Sequence, residues 1–209
     1  MILILDYGVG NLLSIKRAFK FFDVEIKISS SMEDFNNSSH LVLPGVGSFG
    51  FAMENIEKKN LKEKINNYAN SGRPILGTCL GMQLLLNSSE EFGNFKGLGL
   101  IKGKVRTLKN LNNNQNPIKL PNIGWQKLKF DNNNQLLLDI DSKDEFYHVH
   151  SYYCEIENNS EILSFGKFEN NFFPNIIWKK NIFGVQFHPE KSGQSGLKLI
   201  NNFINLKFW

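Results

Sequence analysis

Short apolar runs that stop at a glycine turn and give way to a three-to-four-residue apolar repeat set the pattern of the first 90 residues. Residues 2–6 form such a run and end at Tyr7-Gly8. A strand that is apolar on both faces has to be covered on both sides, which is the environment of a parallel strand. From residue 12 to residue 22, Leu12, Ile15, Phe19 and Phe22 recur at helical spacing, with Lys16, Arg17 and Lys20 largely outward. Residues 24–28 read as a second strand, and residues 40–43 as a third that stops at Pro44-Gly45. A helical stretch through Leu61, Ile65 and Tyr68 follows, then the run Pro74-Ile75-Leu76-Gly77 and another helix from Leu80. This alternation predicts an α/β fold with a mostly parallel central sheet flanked by helices.

The C-terminal half has a different rhythm. Runs at 123–130, 146–156, 162–168, 176–179 and 182–187 are separated by turn residues instead of helices. They predict antiparallel strands added to the same sheet. A last helix carries Leu197, Ile200, Phe203 and Ile204 on one face, and asparagine runs at 112–114 and 132–134 read as loops. No repeat or linker composition divides the chain, so residues 1–209 are expected to form one domain.

Composition narrows the function classes. With 41% hydrophobic and 21% charged residues, the chain can build a core. Its net charge of +4 is scattered, without the clustered Lys/Arg that nucleic-acid binding requires, so no nucleic-acid partner is expected. No apolar run is long enough for a membrane span, and residues 1–6 lack the basic lead of a secretory signal. A cytoplasmic protein without a membrane partner is the expectation. The 2 cysteines, Cys79 and Cys154, are too few for a disulfide framework.

Cys79 lies in Gly77-Thr78-Cys79-Leu80-Gly81, with a strand running in and a helix running out. That is a nucleophile elbow with cysteine in the place of serine. The flanking glycines avoid collision at so tight a turn. A thiol at a helix N-terminus also meets positive potential, and the Leu80 N–H points to where a tetrahedral oxyanion forms. A lone cysteine is otherwise usually a small buried apolar residue; the elbow favours chemistry.

Of the 4 histidines, His188 is placed to serve as the base. It follows the run 182–187 at a strand end, and Pro189 breaks the strand so that Glu190 can turn back to orient the ring. Cys79, His188 and Glu190 then follow triad logic. His148 and His150 share a strand face, but no third ligand stands at convincing spacing, so neither metal nor other cofactor is expected. His40, at the start of a strand, reads as structural or exposed. Pro44-Gly45-Val46-Gly47-Ser48 ends the third strand with backbone N–H groups free to approach a ligand. Gly8-Val9-Gly10 lacks the third glycine of a dinucleotide fingerprint, since Leu13 stands there.

Pro44-Gly45-Val46-Gly47, Gly77-Thr78-Cys79-Leu80-Gly81-Met82-Gln83 and His188-Pro189-Glu190, in this order, resemble the class I glutamine amidotransferases over essentially the whole chain. Asp6-Tyr7-Gly8, Gly10-Asn11-Leu12, residues 43–49, Val149-His150-Ser151-Tyr152 and residues 186–192 are more narrowly similar to one branch. Its members are glutaminase subunits that supply ammonia to a separate (β/α)8-barrel cyclase in histidine biosynthesis. The resemblance implies L-glutamine as substrate, a heterodimer with that cyclase, and Cys79, His188 and Glu190 as the triad. It further implies Gly47 and Leu80 at the oxyanion, and Gly47, Gln83, Glu91, His150, Ser151 and Tyr152 around glutamine. Tyr147 and Lys191 fall near the expected ammonia exit as a gate. Asn11 and the segment with Pro121, Asn122, Gly124 and Trp125 fall at the cyclase interface, where Trp125 is an anchor or else a core aromatic.

The sequence departs from the family pattern at several places. Asn122 stands where His is usual and Gln126 where Asn is usual; Thr78 replaces an aliphatic residue, and His148 an aromatic one. A paralogous subunit that donates ammonia for sugar amination in surface-polysaccharide pathways therefore stays open, because a change of partner would show at such interface positions. A stand-alone cysteine hydrolase would share the elbow but has no use for Gln83 or the 150–152 segment. A non-catalytic subunit would have no need of Cys79, His188 and Glu190 together.

Overall fold

The computed structural model describes residues 1–111, 118–130 and 134–207. Its first half is built from β1 (Ile2–Leu5), α1 (Leu12–Phe19), β2 (Ile26–Ser29), α2 (Met32–Asn37), β3 (His40–Leu43), α3 (Phe49–Lys58), α4 (Leu61–Asn70), β4 (Ile75–Thr78) and α5 (Leu80–Leu84). There follow β5 (Ser88–Ser89), β6 (Phe95–Lys96), β7 (Gly103–Thr107), β8 (Asn122–Lys127), β9 (Glu145–His150) and β10 (Tyr152–Ile156). The chain closes with β11 (Ile162–Phe168), β12 (Asn171–Lys179), β13 (Ile182–Val185) and α6 (Gly193–Ile204).

The central sheet is 7-stranded, in the order β11-β12-β13-β4-β3-β1-β2. β2, β1, β3, β4 and β13 run parallel, and β12 and β11 add antiparallel pairs at one edge. The continuous apolar runs explain themselves in this arrangement, since alternate side chains feed two different cores. Leu3, Leu5, Leu41, Leu43 and Ile75 pack with α3 and α4 through Phe49, Ile56 and Ile65. Ile2, Ile4, Val42, Leu76 and Phe183 pack on the other face with α1 and α6 through Ile15, Phe19, Ile200 and Phe203. Each such fully buried side chain contributes about 1.5–3 kcal/mol. The Asn11 side chain caps α1 by accepting from the Ser14 N–H at 3.3 Å. The helical run ends in a 3-10 turn, Lys20–Phe22, stopped by Asp23 in the left-handed region.

The α/β class and the antiparallel C-terminal additions are as expected, with two corrections. Among the described residues the last three C-terminal runs are the ones that join the central sheet as strands, and of these β13 pairs parallel with β4. The run 123–130 instead gives β8, which pairs with β9 as a separate 2-stranded ribbon, and the end of the run touches the central sheet through a single bridge from Lys129 to Phe165 of β11. The run 146–156 breaks at Ser151, where the chain leaves β8 and pairs with β7 as β10 in a 4-stranded sheet with β5 and β6. An apolar run shows that a strand is covered but not which neighbour covers it. Helices α2 and α3 and the short strands β5, β6 and β7 have no counterpart in the sequence pattern described above. The 112–114 run and residues 132 and 133 lie outside the described residues.

Candidate active site

β13, β4 and β3 lie side by side, so their C-terminal ends bring three turns together. At the end of β4, Cys79 takes φ 51° and ψ −111°, a strained conformation for a residue with a Cβ, and α5 starts at once. Its N–H donates to the Val185 carbonyl at 2.7 Å. The missing side chains of its neighbours make the turn possible. A Cβ on Gly81 would sit 1.9 Å from the Leu43 carbonyl oxygen, and one on Gly77 would sit 2.6 Å from the Gly81 carbonyl group. Gly45 lies equally close to Leu80, its Cβ falling 2.5 Å from that of Leu80. The Pro44-Gly45-Val46-Gly47 turn thus rests on the first turn of α5. Buried Tyr7 anchors it from below, its hydroxyl donating to the Pro44 carbonyl. Burial, and to a lesser degree the neighbouring Cys79, push the Tyr7 phenol up.

His188 follows β13, its N–H donating to the Tyr147 carbonyl of β9 at 2.9 Å. The 3-10 turn Pro189–Lys191 folds Glu190 back, so that its Oε1 lies 2.9 Å from His188 Nδ1. Both side chains are buried. With Nδ1 taken, Nε2 is the nitrogen left for Cys79; among the described residues neither it nor Glu190 Oε2 has a regular hydrogen-bond partner. Burial alone would lower the imidazole pKa, but the facing Cys79 and the bonded, charged Glu190 outweigh it and raise it to about 10.

A cleft of about 390 Å³ opens over Cys79 and His188. Gly47, Leu80, Gln83, Glu91, His150, Ser151 and Tyr152 all line it, as do Val46, Phe92, Pro121 and Val149. Glu91 Oε2 accepts the Phe49 N–H at 2.6 Å and so caps α3. Burial raises the Glu91 carboxyl pKa against that bond. Ring nitrogens that could have suggested a metal are occupied. His150 bonds the Tyr152 carbonyl at 2.8 Å and Asn122 Nδ2 at 3.0 Å, while His148 bonds the Phe146 carbonyl at 2.8 Å and Asn175 at 2.9 Å. Burial, with the neighbouring His148, holds His150 down at about 3. Among the described residues no group of three His, Cys, Asp or Glu could hold a metal ion. His40 is structural, bonding the Leu206 carbonyl at 3.2 Å, and Cys154 is fully buried with its thiol pushed up.

The residues expected at a partner surface divide. Trp125 is 53% exposed, which rules out the core-aromatic reading, and Ile123 beside it is 60% exposed. Tyr147 stacks edge-on with Trp125 at 5.8 Å, and Lys191 Nζ stands 5.9 Å from the Tyr147 ring, so these side chains form one surface patch behind His188. Gly124 lies between Ile123 and Trp125 at φ 147°. Asn11 is exposed, but its side chain is engaged in the α1 cap. Asn122 is a correction: its side chain is buried and faces His150, accepting from Gln126 Nε2 at 2.9 Å. Both departures from the family pattern in this segment are therefore met by partners inside the chain.

Gln186 is a site residue that the motifs alone do not single out. It is fully buried, its Nε2 is 3.9 Å from Cys79 Sγ, and its Oε1 accepts from Gln83 Nε2 at 3.3 Å. A signal for it exists in the sequence: a lone amide in an apolar strand run requires a partner, and residues two apart share a face, here with His188.

A parallel sheet with a cysteine elbow, a histidine–carboxylate pair and a glycine-rich turn at adjoining strand ends has the form of a glutamine-dependent amidotransferase. Residues 3–206 match the model of the family "Glutamine amidotransferase class-I", and the chain belongs to it. Solved structures agree on the fold: "Structure of PurLQS from Thermotoga maritima" superposes with TM-score 0.75 at 16% identity, covering 98% of this chain and 97% of that one. "Crystal structure of glutamine amidotransferase" gives 0.74 at 16%, covering 97% and 96%.

Within the family, its similarity is to proteins named imidazole glycerol phosphate synthase subunit HisH. That of Sulfurimonas denitrificans is 42% identical over 99% of both chains. Those of Chlorobium chlorochromatii and Bacillus subtilis are 40% and 39% identical, over 99% of this chain and 100% and 96% of theirs. No described helix is long and apolar enough to cross a membrane.

Proposed function

We propose that this chain is the glutaminase subunit of a histidine-biosynthetic imidazole glycerol phosphate synthase, with Cys79, His188 and Glu190 as its catalytic triad. Cys79 gives its thiol proton to His188 Nε2, and its sulfur attacks the side-chain amide carbon of L-glutamine. The oxyanion that forms is met by the Leu80 N–H at the start of α5 and by the backbone of the Gly47 turn. His188 Nε2 passes its proton to the amide nitrogen; the carbon–nitrogen bond breaks, and ammonia leaves. Water then attacks the glutamyl thioester, giving its proton to His188, and glutamate departs as the thiol re-forms. Glu190 fixes the ring and supports its charge.

The observation that carries this reading is one cleft lined by the elbow cysteine, His188, Glu91, Ser151 and Tyr152, with buried Glu190 bonded to the far side of the His188 ring. Glu91 suits the ammonium of a free amino acid; Ser151 and Tyr152 offer donors to its carboxylate. The Trp125–Tyr147–Lys191 patch behind His188 is where the (β/α)8-barrel cyclase docks in the cytoplasm, so that ammonia passes without meeting bulk water. The names of the relatives favour the histidine pathway over the sugar-amination partner.

Glutamate release from glutamine tests the reading, measured for the chain alone and mixed with the host's cyclase subunit. Each is run with and without the ribulose nucleotide of the histidine pathway. Stimulation by cyclase and nucleotide, abolished by Cys79→Ala, is the expected result. Activity indifferent to both, or retained by Cys79→Ala, overturns it.

A further inference from the structure

The buried amides beside Cys79 form a chain whose polarity is set by one backbone carbonyl. The Tyr152 oxygen only accepts, and it takes His150 Nδ1–H at 2.8 Å and Gln83 Nε2–H at 3.4 Å. The nitrogen end of the Gln83 amide is thereby turned inward, and its second hydrogen goes to Gln186 Oε1 at 3.3 Å. With its oxygen engaged, Gln186 has only its NH2 group to present on the other side, where Nε2 lies 3.9 Å from Cys79 Sγ. The backbone beneath is held as well, the Gln186 N–H donating to the Asn175 carbonyl at 2.9 Å. A flipped amide would set its oxygen lone pairs against the sulfur, opposing any negative charge there; the observed orientation supports that charge.

We propose that Gln186 is a positioning residue for the Cys79 sulfur, with Gln83 deciding which end of the Gln186 amide the sulfur meets. The inference rests on Cys79 being the nucleophile. A long N–H···S contact suits a nucleophile, because the sulfur has a donor while waiting and remains free to swing toward the substrate carbonyl. Gln83 then has only its Oε1 left to offer glutamine.

The test is the rate of Cys79 alkylation by iodoacetamide in the full chain without glutamine, with Cys79→Ser giving the background from Cys154. Glutaminase kinetics of the chain with its cyclase run in parallel. Gln186→Met keeps the volume and removes both donor and acceptor. It is expected to slow alkylation about fivefold and lower kcat about tenfold, with KM for glutamine within about twofold. Gln83→Met, which leaves Gln186 in place but unoriented, is expected to slow alkylation in the same direction.

A purely structural role would lower the melting temperature and leave the alkylation rate unmoved. Folded Gln186→Met alkylated at the wild-type rate overturns the proposal. If that variant does not fold, Gln83→Met at the wild-type rate does so instead. A Cys79→Ser chain that still hydrolyses glutamine would overturn the nucleophile reading itself; an inactive Cys79→Ser beside an unaffected Gln186→Met removes only the role of Gln186.

Discussion

The Asn122 amide meets the His150 ring at 3.0 Å, nitrogen to Nε2, where the two residues face each other across the β8–β9 pair. Because His150 Nδ1 donates to the Tyr152 carbonyl, Nε2 has to accept, and Asn122 supplies the donor while its own oxygen takes Gln126 Nε2. The set is complete only for a neutral ring. Asn122→Leu fills the space and leaves Nε2 buried without a partner. The expected cost is about 1–3 kcal/mol of folding free energy, read as a lower urea midpoint at unchanged m-value.

The same ring sets a pH dependence. His150 is held neutral, its pKa brought down to about 3 by burial and by the neighbouring His148, whereas an unfolded histidine titrates near about 6.5. Protons therefore bind the unfolded chain first, and the stability contributed by neutral His150 is lost as pH falls below about 6.5. At pH 5 the loss is about 2 kcal/mol. His188 works in the opposite sense: raised to about 10, it contributes stability below about pH 6.5 that is lost as pH climbs toward its folded value. Urea unfolding at pH 7.5, 6.5 and 5 checks the acid limb. His150→Gln is expected to flatten it, and an unchanged slope would show that His150 is not the group being titrated.

The elbow is legible in the sequence because its constraint is local. Gly77 and Gly81 stand two residues either side of Cys79, and each is required by an atom the tight turn brings close, the Gly81 carbonyl and the Leu43 oxygen. His188 and Glu190 are equally readable, since Pro189 forces the chain to turn between them. Asn122 and Gln126 are not readable in this way. Whether they face a partner or the interior depends on the pairing of β8 with β9, which the hydrophobic pattern of β8 alone leaves undetermined, because its large apolar residues Ile123 and Trp125 are exposed. For the same reason the pattern alone does not separate the ribbon and the sheet around β7 from the central sheet.

The local constraint gives a sharp expectation for Gly81→Ala. The added methyl would stand 1.9 Å from the Leu43 oxygen, a backbone atom of a central strand that cannot swing aside. Relief requires α5 to move off β3, and Cys79 moves with it. Destabilisation of at least about 1–3 kcal/mol is expected, with glutaminase activity falling by more than the loss of folded protein explains. Thermal melts and activity per folded molecule separate the two effects. A stable, fully active Gly81→Ala would show that the elbow is looser than this packing requires.

Trp125 offers the opposite case, a large side chain whose removal should hardly touch the fold. It is 53% exposed, Ile123 beside it is 60% exposed, and its main ring neighbour is Tyr147, whose carbonyl holds the His188 N–H. An aromatic left open on a two-stranded ribbon directly behind His188 fits an anchor for the proposed cyclase partner. Trp125→Ala is expected to weaken the complex at least tenfold, or about 1.4 kcal/mol, by titration calorimetry. The melting temperature of the isolated chain should shift by no more than about 2 °C, as for a surface change. The reverse pattern, a large drop in melting temperature with unchanged affinity, would place Trp125 among the residues that hold the β8–β9 ribbon together and move the docking surface elsewhere.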